Sequence, residues 1–210
     1  GWQLDAPPHE ALITMRGPEA LDPSGSRLKD SVYMQLQSPE DTHNFLLSDK
    51  SHKPYKAYDL NEPNALVEIR DMPDGPAETM PRDDWRFGRI DSNGEYHPDP
   101  AYICSSEGFK KGRLYQVTYT ALGAPVIGLS FAALRDCVSW FKYGSSSVDS
   151  PVPGIQKSYA YGRSQTGRFL RTFVHNDFNL DESGREAMDG IIANVAGGMR
   201  GEFNQRFGQN

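Results

Sequence analysis

The spacing of apolar residues divides the chain into three stretches of different rhythm. Residues 1–80 are polar and irregular. Within them Ala11–Met15, Val32–Leu36 and Leu66–Arg70 alternate enough to predict strands, with Pro, Asp and Asn between them. Residues 81–123 carry more strand signal. Bulky side chains alternate along Trp85–Ile90, and Asn93-Gly94 predicts a tight hairpin turn. Ala101–Ser105 and Leu114–Leu122 read as strands, the latter on its Tyr, Val and Thr content.

From residue 124 the period changes. In LSFAALRDCVSWFKYG, residues Phe131, Leu134, Val138 and Phe141 recur three or four apart and mark one helix face, with Gly144 as the stop. A Ser/Pro-rich loop follows. IQKSYAYG then predicts a strand. GRFLRTFVHNDF predicts a helix with Phe169, Leu170, Phe173 and Val174 on one face. NLDESGREAM reads as a turn and a short helix, and the glycine-bounded DGIIANVAGG as a buried parallel strand. Helix–strand–helix–strand order implies a parallel sheet covered by helices, so an α/β class is expected here, behind a β-rich, irregular N-terminal part.

Composition narrows the function. A chain of 210 residues suits one domain, or one domain with a large insertion. The net charge of −6 argues against a nucleic-acid partner, because phosphate binding needs a basic surface. No apolar run approaches the roughly 18 residues of a membrane helix. GWQLDAPPHE has no basic head followed by an apolar core, so no signal peptide is predicted there. Cys104 and Cys137 are too few for a disulfide framework, have no metal-ligand spacing, and read as buried thiols.

The stretch with chemical promise is YAYGRSQTGRFLRTF, residues 159–173. A strand entering a helix through a sharp turn lifts a serine above the sheet in strained backbone geometry. Gly162 supplies the small residue two positions before Ser164. The position two after it, where such elbows usually carry glycine, is Thr166, and Gly167 follows. Two readings fit. Either Ser164 is a nucleophile, with the Gln165 N–H as oxyanion donor at a helix N-terminus, or Ser164 is a helix N-cap. A phosphate loop would need more glycines and an adjacent lysine.

A triad on such a sheet runs serine, acid, histidine along the chain. Only His175 follows Ser164, and it lies in the helix that starts at the elbow. His9, His43, His52 and His97 precede it in loop-like segments. Asp177, Asp181, Glu182, Glu186, Asp189 and Glu202 read as solvated charges or caps. No complete triad assembles from this chain.

GFKKGRLYQVTYTALGAPVIGLSFAALRDCVSWFKYG, with YGRSQTGRFLRTFVHNDFNLDESGREAMDGIIANVAGGMRGEFNQRF and PRDDWRF, resembles a family of bacterial α/β-hydrolase-domain proteins. The resemblance covers roughly residues 80–210, and GRSQTGRFLR is its most specific element. It implies that Ser164 is the nucleophile and that Gln-Thr-Gly after the serine is a family trait. It implies that 1–9 follows a core strand, 10–115 is an insertion, and 116–210 is part of the hydrolase core. Because family members are longer, it further implies an internal portion of a larger enzyme, whose acid and histidine follow Asn210.

Other residues carry subsidiary expectations. The resemblance places Trp2 and Gln3 near a pocket. Arg163 could meet an acidic substrate group or pair with a neighbouring carboxylate. Trp85, Arg86 and Phe87 read as core packing, Arg135–Asp136 as a structural pair, and GGMRGEFNQRF as a candidate pocket wall. The resulting expectation is a serine hydrolase of carboxylic esters that needs no metal or organic cofactor. A noncatalytic binding or assembly module on the same scaffold is the alternative.

Overall fold

A computed structural model describes residues 18–48, 53–144, 149–198, 201 and 206–207. The predicted strand Ala11–Met15, together with Trp2, Gln3, His9, His52 and Glu202, lies outside the described residues. The described chain divides into two compact units at Val126/Ile127, and Arg206 and Phe207 join the first.

The first unit is built from β1 (Lys29–Gln37), β2 (Thr42–Leu46), β3 (Leu66–Arg70), β4 (Glu78–Thr79), β5 (Arg86–Phe87), β6 (Arg89–Ile90), β7 (Tyr96–His97), β8 (Tyr102–Phe109) and β9 (Leu114–Leu122). One sheet has the order β1-β9-β3-β4, another β2-β8-β5, and β6-β7 is a hairpin. Every one of these pairings is antiparallel. Alternation decides which face is buried. In β1, Val32, Met34 and Leu36 point inward while their neighbours are exposed. They join Val67, Val117, Tyr119, Ile103 and Phe87 in one core. Phe45, Phe109 and Tyr115 form an aromatic cluster there, with ring centroids 4.6–5.6 Å apart. Trp85 and Phe87 are core residues, as their pattern suggests, and Arg82 lies 4.2 Å over the Trp85 ring. The Asn93-Gly94 hairpin is present, and Asp91 ties it by accepting the Asn93 and Glu95 N–H groups.

The second unit contains α1 (Leu129–Tyr143), β10 (Tyr159–Arg163), α2 (Gln165–His175) and β11 (Gly190–Asn194). Its core is Phe131, Phe173, Ala187 and Met188, flanked by Leu134, Val138, Ala160, Phe169, Phe178 and Ile191. Phe131 sits at the centre, 4.6 Å from the Phe169 ring and 5.2 Å from Phe178. The predicted helix faces hold apart from their ends: Phe141 and Val174 are exposed. Gly144 ends α1, donating its N–H to the Trp140 carbonyl.

Several expectations need correction. The parallel sheet is a single pair, β10–β11; all other strand pairings among the described residues are antiparallel. β11 is not buried: Ile191 packs against the core of this unit, but Ile192 and Asn194 on the opposite face are exposed, and so is Ala193 toward the end of the strand. NLDESGREAM is a turn without a helix. The Asp181 carboxylate takes the Ser183 and Arg185 N–H groups, and this local side-chain pairing displaces helical hydrogen bonds. Cys104 is buried, but Cys137 is exposed on α1; both thiols are free.

Candidate active site

The elbow begins with two close approaches. A Cβ placed on Gly162 would meet the Thr166 carbonyl oxygen at 2.5 Å and the Gly167 nitrogen at 2.8 Å. A Cβ on Gly167 would meet the Asn194 and Gly162 carbonyl oxygens at 2.7 and 2.8 Å. Both glycines are therefore required for α2 to leave β10 so abruptly and cross against β11. Between them sits Ser164, with φ 56° and ψ −119°. That conformation lies outside the regions L-residues ordinarily occupy and costs about 1–3 kcal/mol. Its neighbours hold it there. The Ser164 N–H donates to the Asn194 carbonyl at 3.0 Å, and the Ser164 carbonyl accepts the Arg168 N–H at 2.9 Å.

Ser164 occupies the N-cap position, yet its side chain makes no capping hydrogen bond. An N-cap serine is favoured because its oxygen accepts a helix N–H. Here the residue is exposed and its hydroxyl is not used for that task. The strain without the cap is what separates the two readings of this serine. The Gln165 N–H, at the first helical position, makes no hydrogen bond among the described residues, as expected of a first-turn donor. With the positive end of the helix dipole behind it, this N–H suits a developing oxyanion.

Arg163 is exposed and in no ion pair among the described residues, so the expected structural pairing is not seen. Its backbone, by contrast, is fully used. The Thr166 hydroxyl accepts the Arg163 N–H at 2.9 Å and donates to the Arg163 carbonyl at 2.8 Å. The sequence marked Thr166 only as a departure from glycine. A hydroxyl side chain three residues beyond a strand end was the signal for this role.

The strand after α2 ends beside the elbow. Val195 has φ 42°, unusual for a β-branched residue, and is exposed. The following loop is tied to α2: Arg168 donates to the Ala196 carbonyl, and Arg171 to the carbonyls of Gly197 and Gly198. GGMRGEFNQRF, the candidate pocket wall, begins at these glycines, and most of it lies outside the described residues.

No described histidine or acid sits where a triad partner is needed within this unit. His175 ends α2, eleven residues on, which is about 16 Å along a helix at 1.5 Å per residue. Asp189 is spoken for: Lys142 and Lys157 each reach it at 2.8 Å and the Ser158 N–H at 3.0 Å, and these bonds hold its carboxyl well below the usual range. Burial works against the charge of Asp181, but the Ser139 hydroxyl and the groups of Arg185 outweigh it and lower that carboxyl too. Arg135 pairs with Asp136 at 2.6 Å.

In the first unit, His43 Nδ1 bonds the Ser105 carbonyl and His97 Nε2 bonds Asp91, each at 3.0 Å. Asp91, Glu95 and His97 bring ligand-type atoms within 4.8 Å of one another. The Asp91 oxygens are already taken by His97 and two backbone N–H groups, which makes this cluster a hairpin tie.

A family model described as an alpha/beta hydrolase domain matches residues 92–209, more than half of the chain, and includes the whole elbow. No curated protein and no solved structure matches the chain.

Proposed function

The chain belongs to the alpha/beta hydrolase domain family, and from that premise we propose that it carries the nucleophile of a serine hydrolase acting on carboxylic esters. The observation that carries the reading is Ser164: an exposed non-glycine residue held at φ 56° whose hydroxyl is unused as a cap. A turn serine without a catalytic task would relax that strain or use its oxygen on the helix.

In the proposed reaction the Ser164 Oγ attacks the ester carbonyl, and its proton passes to a histidine. The tetrahedral oxyanion accepts a hydrogen bond from the Gln165 N–H. Collapse expels the alcohol, which takes the proton back, and water then releases the acid from the acyl-serine by the same route. We propose that the histidine and its acid belong to protein beyond this chain, within a larger hydrolase. Two features support this. His175 stands far from Ser164, and among the described residues β10–β11 is a two-stranded pair with Tyr159, Tyr161 and Ile192 exposed on one face. That is too small a sheet to stand as a complete hydrolase core. We further propose that Arg163, next to Ser164 in the chain, meets an acidic substrate group, and that Trp2 and Gln3 line the pocket.

The test is labelling of the protein at its natural length by a fluorophosphonate. Modification confined to Ser164, abolished in Ser164→Ala, is expected. Absence of labelling, together with unchanged function in Ser164→Ala, would leave the binding-module reading in its place.

A further inference from the structure

We infer that Thr166 is the positioning residue of this nucleophile, an inference that rests on Ser164 being the reactive group. The two peptide planes that flank Ser164 set its φ and ψ. The plane before it carries the Arg163 carbonyl and the Ser164 N–H. Thr166 Oγ1 donates to the first, and the Asn194 carbonyl accepts from the second. The plane after it carries the Ser164 carbonyl, bound by the Arg168 N–H, and the Gln165 N–H, left for substrate. Three of these four groups are thus fixed, and only the oxyanion donor is open.

Thr166 is the one side chain in this arrangement; the other contacts are backbone to backbone. Its hydroxyl also accepts the Arg163 N–H. Because the Ser164 N–H points at β11, the N–H and C=O of the preceding residue point to the opposite edge of β10, where no strand pairs among the described residues. Thr166 therefore supplies both hydrogen bonds that a neighbouring strand would supply to Arg163. Without it, the Arg163–Ser164 peptide plane is held at one end and can rotate, which releases the positive φ and swings the Ser164 Oγ and the Gln165 N–H away from a shared carbonyl. A glycine at this position could not make the clip. The departure from the usual elbow is functional in this chain.

Thr166→Val keeps the shape and removes both hydrogen bonds; Thr166→Ser keeps both. In the protein at its natural length, the rate of fluorophosphonate labelling at Ser164 should fall about 10- to 100-fold in Thr166→Val. It should stay within about threefold of wild type in Thr166→Ser, with unfolding midpoints of the two variants alike. Hydrogen exchange at the Arg163 amide should quicken in Thr166→Val alone. Thr166→Ala serves if the valine variant does not fold. Equal labelling of wild type and Thr166→Val would overturn the inference, as would unaltered Arg163 exchange. If wild type itself does not label, the nucleophile reading fails, and the exchange measurement still decides whether the clip exists.

Discussion

Gly167→Ala sets two known effects against each other. Alanine is the better helix former, and in the first turn of α2 the exchange should gain about 1 kcal/mol. The new Cβ would lie 2.7 Å from the Asn194 carbonyl oxygen and 2.8 Å from that of Gly162. Both are strand backbone, which cannot rotate aside as a side chain would. Restoring ordinary contact requires α2 to retreat by roughly 0.7 Å, and Leu170 and Phe173, buried on the same helix, would move with it. Forced shifts of this kind cost about 1–3 kcal/mol or more. The steric effect should win by up to about 2 kcal/mol, lowering the melting temperature by up to about 8 °C in a chain of this length. Gly198→Ala is the internal control. Its Cβ meets nothing within 4 Å, so its effect should stay within about 0.5 kcal/mol. Gly162→Ala should be the worst of the three, because its Cβ falls 2.5 Å from the Thr166 oxygen and 2.6 Å from its carbon. Urea unfolding followed by circular dichroism ranks them. If Gly167→Ala unfolds at or above the midpoint of Gly198→Ala, the close crossing of α2 on β11 is not the reason for glycine there.

Three further outcomes follow from the second unit. Ser164→Gly should raise stability by about 1 kcal/mol, since glycine adopts positive φ without penalty, while abolishing fluorophosphonate labelling; urea titration and labelling read the two effects separately. Phe131→Ala, which removes the ring at the centre of the aromatic cluster, should cost about 3–5 kcal/mol in the same titration. Lys142, Lys157 and the Ser158 N–H lower the Asp189 carboxyl in the folded state, so its charged form favours folding at neutral pH. That contribution is present above the ordinary aspartate value of about 3.9 and is lost as pH falls through and below it. Urea midpoints between about pH 5 and pH 2 should therefore fall less steeply in Asp189→Asn than in wild type.

The sequence by itself determined which residues form most elements. Period two along Val32–Leu36 and Leu114–Leu122, and the apolar faces of α1 and α2, are local patterns. Burial of one face turns such a pattern into a strand or helix whatever surrounds it. It also located the elbow, because a strand cannot pass so sharply into a helix without residues as small as Gly162 and Gly167. Tertiary structure decided the rest. Exposure of β11 depends on what covers its second face, and no pattern within Gly190–Asn194 encodes that. The turn at Asp181 follows from one carboxylate gathering its own backbone together with Ser139, a residue distant in the chain. Whether Ser164 caps its helix or stands strained above it was undecidable from composition, since a serine between a strand and a helix suits a cap by its hydroxyl and an elbow by its reactivity. The choice rests on dihedral angles set by Asn194, Arg168 and Thr166, groups that converge on Ser164 only once β11 lies beside β10.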